Sequence, residues 1–233
     1  MERCIGTLPL GTMPLIAGAL TDSDVVNLDR EAVDAADILE LRVDMFDTLS
    51  PDHIEAVFKE ARDKFRKPLL ATIRAVREGG QKDIEDRTAL YQVALPLSDA
   101  ADVEIYSDEP FAAVKALCVA YKKPLIGSYH NFEHTPDDCF LDEVVAKGKE
   151  ADIVKIAAMA NEQEDMVRLA LFTFRHRERG MITMSMGDRG LPSRVFNPLF
   201  GSLMTYGYVT RPSAPGQLSI AELADILRRL KLR

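Results

Sequence analysis

Eight short apolar runs, separated by stretches of helical periodicity, restrict what this chain can fold into. They lie at residues 15–20, 38–43, 69–74, 102–105, 124–130, 152–159, 181–186 and 202–206. Strands covered on both faces read as near-continuous apolar runs of this kind. Between them, residues 51–65, 110–121, 163–177 and 220–230 carry apolar side chains at helical spacing. Ser50 followed by Pro51 is a helix-start signature. Alternation of strand and helix at this spacing is the pattern of parallel β/α units. Eight such units in 233 residues predict a closed (β/α)8 TIM barrel, one domain over 1–233. An open doubly wound sheet is the alternative. It usually carries a glycine-rich phosphate loop after its first strand, and Leu20-Thr21-Asp22-Ser23-Asp24 has none. Ahead of the first run, residues 3–8 and 10–14 predict a small hairpin around Pro9-Leu10-Gly11, placed to plug the barrel bottom.

Lys155 stands out in this frame, because it lies inside the apolar run 152–159. Desolvation disfavours an ammonium. A lysine that becomes neutral is a nucleophile toward ketones and aldehydes and can form a Schiff base. The plain alternative is a lysine at a strand end that carries its charge out to water.

Other polar residues gather at the ends of the same runs. Glu40 and Arg42 end the second, Arg74 the third, with Glu78 just beyond, and His130 ends the fifth. Glu104 lies in the fourth, Ser185 near the end of the seventh, and Arg194 in the segment after it. Ser213 and Gln217 follow the eighth. In a barrel these positions form the C-terminal rim, where catalytic groups are found. Each has a structural explanation taken singly. Glu40 and Arg42, two apart on a strand, share a face and could pair with each other. Arg74 could cap a strand, His130 could be a satisfied core histidine, and Glu78-Gly79-Gly80 could be an exposed turn. Their convergence with Lys155 is what points to chemistry.

Composition narrows the partners. The net charge is -8 and the pI about 5.1, with no basic stripe, so nucleic acid is not expected. No stretch approaches a membrane span, and Met1-Glu2-Arg3-Cys4 lacks a signal-peptide pattern. The three cysteines, Cys4, Cys118 and Cys139, form neither a metal pair nor a disulfide framework. A cytoplasmic, soluble, metal-free protein is the expectation.

The order and spacing of several segments resemble the type I 3-dehydroquinate dehydratases, Schiff-base enzymes of the shikimate pathway. The segments are Glu40-Leu41-Arg42-Val43-Asp44, Thr72-Ile73-Arg74, Glu78-Gly79-Gly80, Ser128-Tyr129-His130-Asn131-Phe132 and Val154-Lys155-Ile156-Ala157. Met184-Ser185-Met186-Gly187, Ser193-Arg194 and Ser213-Ala214-Pro215-Gly216-Gln217 complete the set. The resemblance runs from about Met13 to Leu218. It implies a (β/α)8 barrel, often a homodimer, with no metal or organic cofactor and 3-dehydroquinate as substrate. It implies Lys155 as the imine-forming lysine, His130 as general acid and base, and Glu78 as the partner of His130. It implies Arg194, Ser213 and Gln217 as substrate ligands, with Glu40, Arg42 and Arg74 as further polar lining. The chain departs at Ala17-Gly18-Ala19, where some relatives carry a polar side chain. A Schiff-base aldolase on the same barrel and a pocket-retaining binding module are the rival readings. Gly207-Tyr208-Val209-Thr210-Arg211-Pro212 is not the phosphate cradle that such an aldolase more often has.

Overall fold

The structure, a computed structural model, describes residues 3–212 and 216–233. Two short strands open it, β1 (Cys4–Ile5) and β2 (Leu8–Pro9), paired antiparallel. Their turn is Gly6-Thr7 and not the expected Pro9-Leu10-Gly11. Gly6 takes the positive φ, 57°, that a tight turn demands, and Pro9 sits on an edge where no N–H is needed.

Eight parallel strands follow: β3 (Leu15–Leu20), β4 (Ile38–Arg42), β5 (Leu69–Thr72), β6 (Ala100–Glu104), β7 (Leu125–Asn131), β8 (Ile153–Met159), β9 (Met181–Met186) and β10 (Met204–Tyr208). Helices alternate with them: α1 (Asp22–Asn27), α2 (Pro51–Phe65), α3 (Arg87–Ala94), α4 (Asp108–Tyr121), α5 (Asp138–Lys147), α6 (Gln163–His176), α7 (Ser193–Phe196) and α8 (Ile220–Arg229). The four expected helices are α2, α4, α6 and α8. Ser50 caps α2 by accepting the His53 amide at 3.3 Å, with Pro51 in its first turn. The helices α1 and α7 are too short to show a period in sequence.

The strands are ordered β10-β3-β4-β5-β6-β7-β8-β9, each parallel to its neighbours, so β9 and β10 meet at a seam and the sheet forms a (β/α)8 barrel. The seam is sparsely paired. A bridge joins Met181 and Ser202, and the Leu203 amide donates to the Met181 carbonyl at 2.8 Å. Above it, β9 amides turn to side chains: Thr183 donates to Ser202 Oγ at 3.0 Å and Ser185 to Ser193 Oγ at 2.7 Å.

The interior is layered. Ile38, Leu70, Ala100, Ile126, Ile153, Ile182 and Met204 belong to one buried cluster near the strand starts. Ile5 and Leu10 of the hairpin region join that cluster, so this segment closes the barrel bottom. Because side chains alternate along a strand, positions two residues on point inward too. Those positions are Glu40, Thr72, Asp102, Ser128, Lys155, Met184 and Tyr206, all buried. The next inward positions are Arg42, Arg74, Glu104, His130, Ala157 and Met186. The opposite phase, including Leu39, Leu41, Leu69, Ala71, Ala101 and Val103, packs outward in a second cluster shared with α2, α3, α4 and α8. One strand pattern therefore builds an apolar floor and a polar chamber above it.

Candidate active site

Lys155 on β8 lies at the centre of the polar chamber. Its Nζ donates to Asp102 Oδ2 at 2.9 Å, stands 3.8 Å from Glu40 Oε1, and sits 4.1 Å from the centroid of the Tyr206 ring. The lysine is buried, so its charge does not reach water. Burial, the basis of the sequence argument, holds, but the ammonium has a counter-ion that the sequence reading did not single out.

Asp102 is fully buried and held on both oxygens. Oδ1 accepts from Arg74 Nη2 at 2.8 Å and from Ser128 Oγ at 2.6 Å, while Oδ2 takes Lys155. Burial would raise its pKa, but the cations of Arg74 and Lys155 outweigh it and hold the carboxyl well below the usual range. Glu40 accepts from Thr72 Oγ1 at 2.9 Å. It is not paired with Arg42. That arginine instead forms a two-pronged pair with Asp44, at 2.9 and 2.8 Å.

Arg74 was expected to bind substrate. It lines the pocket, but its guanidinium is largely committed inside the protein. Besides Asp102, Nη1 donates to Glu104 Oε1 at 3.1 Å and to Ser128 Oγ at 2.6 Å. Arg87 reaches in from α3 to the other oxygen of Glu104 and to the Ile73 carbonyl. Burial pushes Glu104 upward, but Arg74 and Arg87 keep it below its usual range.

His130 ends β7 facing Glu78. The carboxylate Oε2 lies 3.0 Å from imidazole Nδ1 and accepts the His130 backbone amide at 2.9 Å. Glu78 reaches this place from a single 3-10 turn, Val76–Glu78, ended by Gly79 at φ 90°. At Gly80 a Cβ would stand 2.1 Å from the Arg74 carbonyl oxygen, so the turn that aims Glu78 needs glycine there. Burial pushes the Glu78 carboxyl up to about 7, against the pull of Arg74. Burial, reinforced by Arg74 and Lys155, pushes the His130 imidazole well below its usual range, against Asp102. At neutral pH the imidazole is thus uncharged and can accept a proton.

Arg194 projects from α7. Its Nε donates to the Gly216 carbonyl at 2.8 Å and Nη1 to the Tyr206 carbonyl at 3.1 Å. Among the described residues no carboxylate pairs with it, and burial alone pushes its pKa down to about 10. A buried cation bound, among the described residues, to carbonyls and a thioether is suited to receive an anion.

One pocket, with about 540 Å³ of empty space including its mouth, is lined by Glu40, Arg42, Arg74, Glu78, His130, Lys155, Arg194 and Gln217. Gly79, Phe132, Ala157, Met184, Met186 and Tyr206 complete the wall. Eight of the nine expected site residues therefore meet in one place, and Ser213 lies outside the described residues. Asp102, Ser128, Asp44, Arg87 and Tyr206 were missed as site residues. The inward phase of each strand could have found Asp102, Ser128 and Tyr206, since Ala100, Ile126 and Met204 fix it. Nothing local marks Arg87, which enters from a helix.

Comparison with known proteins agrees with this geometry. The sequence model of the family described as type I 3-dehydroquinase matches residues 16–232. A 3-dehydroquinate dehydratase of Thermodesulfovibrio yellowstonii is 42% identical over 227 residues, covering 96% of this chain and 99% of that protein. One from Hydrogenobaculum is 37% identical, covering 94% of this chain and 99% of the relative. The crystal structure of the type I 3-dehydroquinate dehydratase of Clostridium difficile, with covalently modified comenic acid, superposes with a TM-score of 0.90 at 31% identity. That match covers 99% of this chain and 97% of the other. The Geobacillus kaustophilus 3-dehydroquinate dehydratase gives a TM-score of 0.91 at 29% identity, covering 99% and 96%. The chain belongs to the type I 3-dehydroquinase family, the 3-dehydroquinate dehydratases, which are lyases.

Proposed function

We propose that this protein converts 3-dehydroquinate to 3-dehydroshikimate and water through an imine on Lys155. The observation that carries the reading is the placement of Lys155 Nζ. It is buried between Asp102, Glu40 and the Tyr206 ring, in the pocket that also holds the His130–Glu78 pair.

Lys155 passes its ammonium proton to uncharged His130, the freed amine adds to the substrate ketone, and His130 returns that proton to the carbinolamine hydroxyl, which leaves as water and leaves an iminium. Its positive charge keeps Asp102 as counter-ion. His130, uncharged at neutral pH, takes the proton alpha to the former ketone. The electron pair flows into the iminium and gives a neutral enamine, so no free enolate forms. The enamine then expels the beta hydroxyl, which leaves as water with the proton His130 now carries. Proton transfers of this kind contribute roughly 10²–10⁴-fold. Water releases the product and restores the amine. Glu78 sets the imidazole orientation and stabilises the imidazolium. Arg194 takes the substrate carboxylate, and Arg42, Glu40 and Gln217 face the ring hydroxyls, with Ser213 as a further ligand. Arg74 acts chiefly by holding Asp102 and Glu104 in place.

We place the protein in the cytoplasm. The free thiols of Cys4, Cys118 and Cys139 suit a reducing compartment, and no described helix is long and apolar enough to cross a membrane.

The test is borohydride reduction in the presence of 3-dehydroquinate, followed by intact-mass and peptide analysis. The expected result is one substrate-derived adduct on Lys155, absent from Lys155→Ala, with appearance of the conjugated product in untreated enzyme. Turnover by Lys155→Ala would rule out covalent catalysis through this residue. Trapping of an aldol substrate in place of 3-dehydroquinate would favour the aldolase reading.

A further inference from the structure

The backbone ladder between β5 and β6 ends at the pair Thr72 and Asp102. Beyond it, the backbone groups of Ile73 are taken by two side chains of α3. The Tyr91 hydroxyl accepts the Ile73 amide at 3.1 Å and donates to the Asp102 carbonyl. Arg87, one helical turn earlier on the same face, donates from Nη1 to the Ile73 carbonyl at 3.0 Å. A hydroxyl has one hydrogen to give and lone pairs to receive. Tyr91 therefore stands as an inserted rung, between an amide of one strand and a carbonyl of the next. Its side chain is fully buried in the outer cluster. Burial, reinforced by Glu104, holds the phenol well above its usual range, so it stays a donor.

The groups around Lys155 hang from the backbone that this rung spaces. Asp102, whose carboxylate takes the Lys155 ammonium at 2.9 Å, is the residue whose carbonyl receives the hydroxyl. Thr72, which donates to Glu40, precedes Ile73 in the chain. Arg74, which donates to Asp102, follows it. Tyr91 itself does not line the pocket. Whatever it does to the chemistry passes through these neighbours.

We propose that Tyr91 is a positioning residue for imine formation: its hydroxyl spaces β6 from β5 and so aims the Asp102 carboxylate at Lys155. The inference rests on the imine reading of Lys155. Without the hydroxyl, the Ile73 amide and the Asp102 carbonyl are left buried with no partner but each other. Satisfying them closes the gap between the strands. Closure shifts Asp102 toward β5, so its carboxylate no longer meets Lys155 as it does at 2.9 Å. A misplacement of about 1 Å at a reacting centre costs on the order of 10²-fold in rate, and a fraction of that shift is enough to be read.

Tyr91→Phe keeps the buried ring and removes only the rung. Single-turnover borohydride trapping of 3-dehydroquinate, well below the midpoint of unfolding, should slow about tenfold, and kcat should fall while KM stays within about threefold. Leu227→Ala, in the last turn of α8 and the outer cluster, controls for lost stability and should trap at the wild-type rate. Because the rung acts through Asp102, adding Tyr91→Phe to Asp102→Asn should slow trapping by less than about twofold more. If Asp102→Asn does not fold, Ser128→Ala, which takes one hydrogen bond from Asp102, replaces it in the cycle. The double variant should then be slowed less than the product of the two single effects. Trapping by Tyr91→Phe at the wild-type rate would overturn the proposal, as would equal slowing by Leu227→Ala or full additivity in the cycle. Absence of any Lys155 adduct in the wild type would instead remove the imine reading itself, a result distinct from wild type and Tyr91→Phe trapping equally well.

Discussion

Replacing Asp102 by Asn removes one charge and almost no volume. In the native protein both carboxylate oxygens are occupied, Oδ1 by Arg74 and Ser128 and Oδ2 by Lys155. The amide has one acceptor. If its oxygen stays with Arg74 and Ser128, its NH₂ faces the Lys155 ammonium, donor against donor. Reversed, it faces Arg74. Either way a buried cation loses its counter-ion, and breaking one partner of a buried pair costs about 3–5 kcal/mol. At 2–4 °C per kcal/mol for a chain of this size, the midpoint of thermal unfolding should fall by roughly 6–20 °C. The pH dependence has a definite sign. The Asp102 carboxyl is held below its unfolded value, so its contribution is present above about 3.9 and is lost as pH falls through the folded pKa. The gap between wild type and variant should be constant from about pH 5 to 7 and begin to close near 4. The new NH₂ cannot hold Lys155 as the carboxylate did, so the rate of borohydride trapping should change along with stability. The assay pairs thermal unfolding with single-turnover trapping across that range. A variant as stable as wild type, with an unchanged trapping rate, would show that Asp102 is not the counter-ion of Lys155.

His130→Ala should still form a trappable imine, slowly, while losing nearly all turnover, and Glu78→Gln should be milder; greater damage from Glu78→Gln would reverse the assigned roles. The Glu78 carboxyl, raised to about 7, makes the folded protein lose stability as pH climbs from about 4.5 to 7, by on the order of 3 kcal/mol. Glu78→Gln should flatten that slope in denaturant titrations at several pH values. Arg194→Lys keeps the charge but not the planar fork, a loss of about 1.5–3 kcal/mol. That is roughly 10–150-fold in kcat/KM, and a substrate analogue without the carboxylate should be indifferent to the change. Tyr206→Phe keeps the ring over Lys155 and removes a buried hydroxyl that has no hydrogen-bond partner among the described residues, so it should leave trapping intact and raise stability by about 1–3 kcal/mol. A destabilised Tyr206→Phe would mean that the hydroxyl is in fact satisfied.

The barrel was legible because its strands stand out as short, mostly apolar runs and its longer helices keep their period. Lys155 was legible for the same reason: a charge inside an apolar run has no ordinary explanation. Asp102 sits in the weakest of the eight runs, and an isolated aspartate carries no sign of what it will face. Its meaning comes from Arg74, just past the end of one neighbouring strand, and Ser128 on the other, contacts that exist only once the strands have paired. Arg74, which does line the pocket, shows the complementary limit of the sequence. Its place at a strand end suits a ligand of the substrate, and only the structure shows how much of its fork is already taken by Asp102, Glu104 and Ser128. The hairpin turn moved to Gly6 because the sequence offers two glycines, and the register of Ile5 with Leu8 decides between them.

The seam between β9 and β10 has a mechanical consequence. Beyond a single backbone bridge, where a barrel usually runs a backbone ladder, this one uses the Ser202 and Ser193 hydroxyls, which accept β9 amides, and the Arg194 guanidinium, which donates to the Tyr206 carbonyl. Such a splice fails one side chain at a time and not as a cooperative row, so it is the natural fault line of the cylinder. The arginine assigned to the substrate carboxylate is one of its rivets. Substrate held by Arg194 while it keeps the Tyr206 carbonyl ties the same joint, and amide exchange at β10 should slow when the pocket is filled.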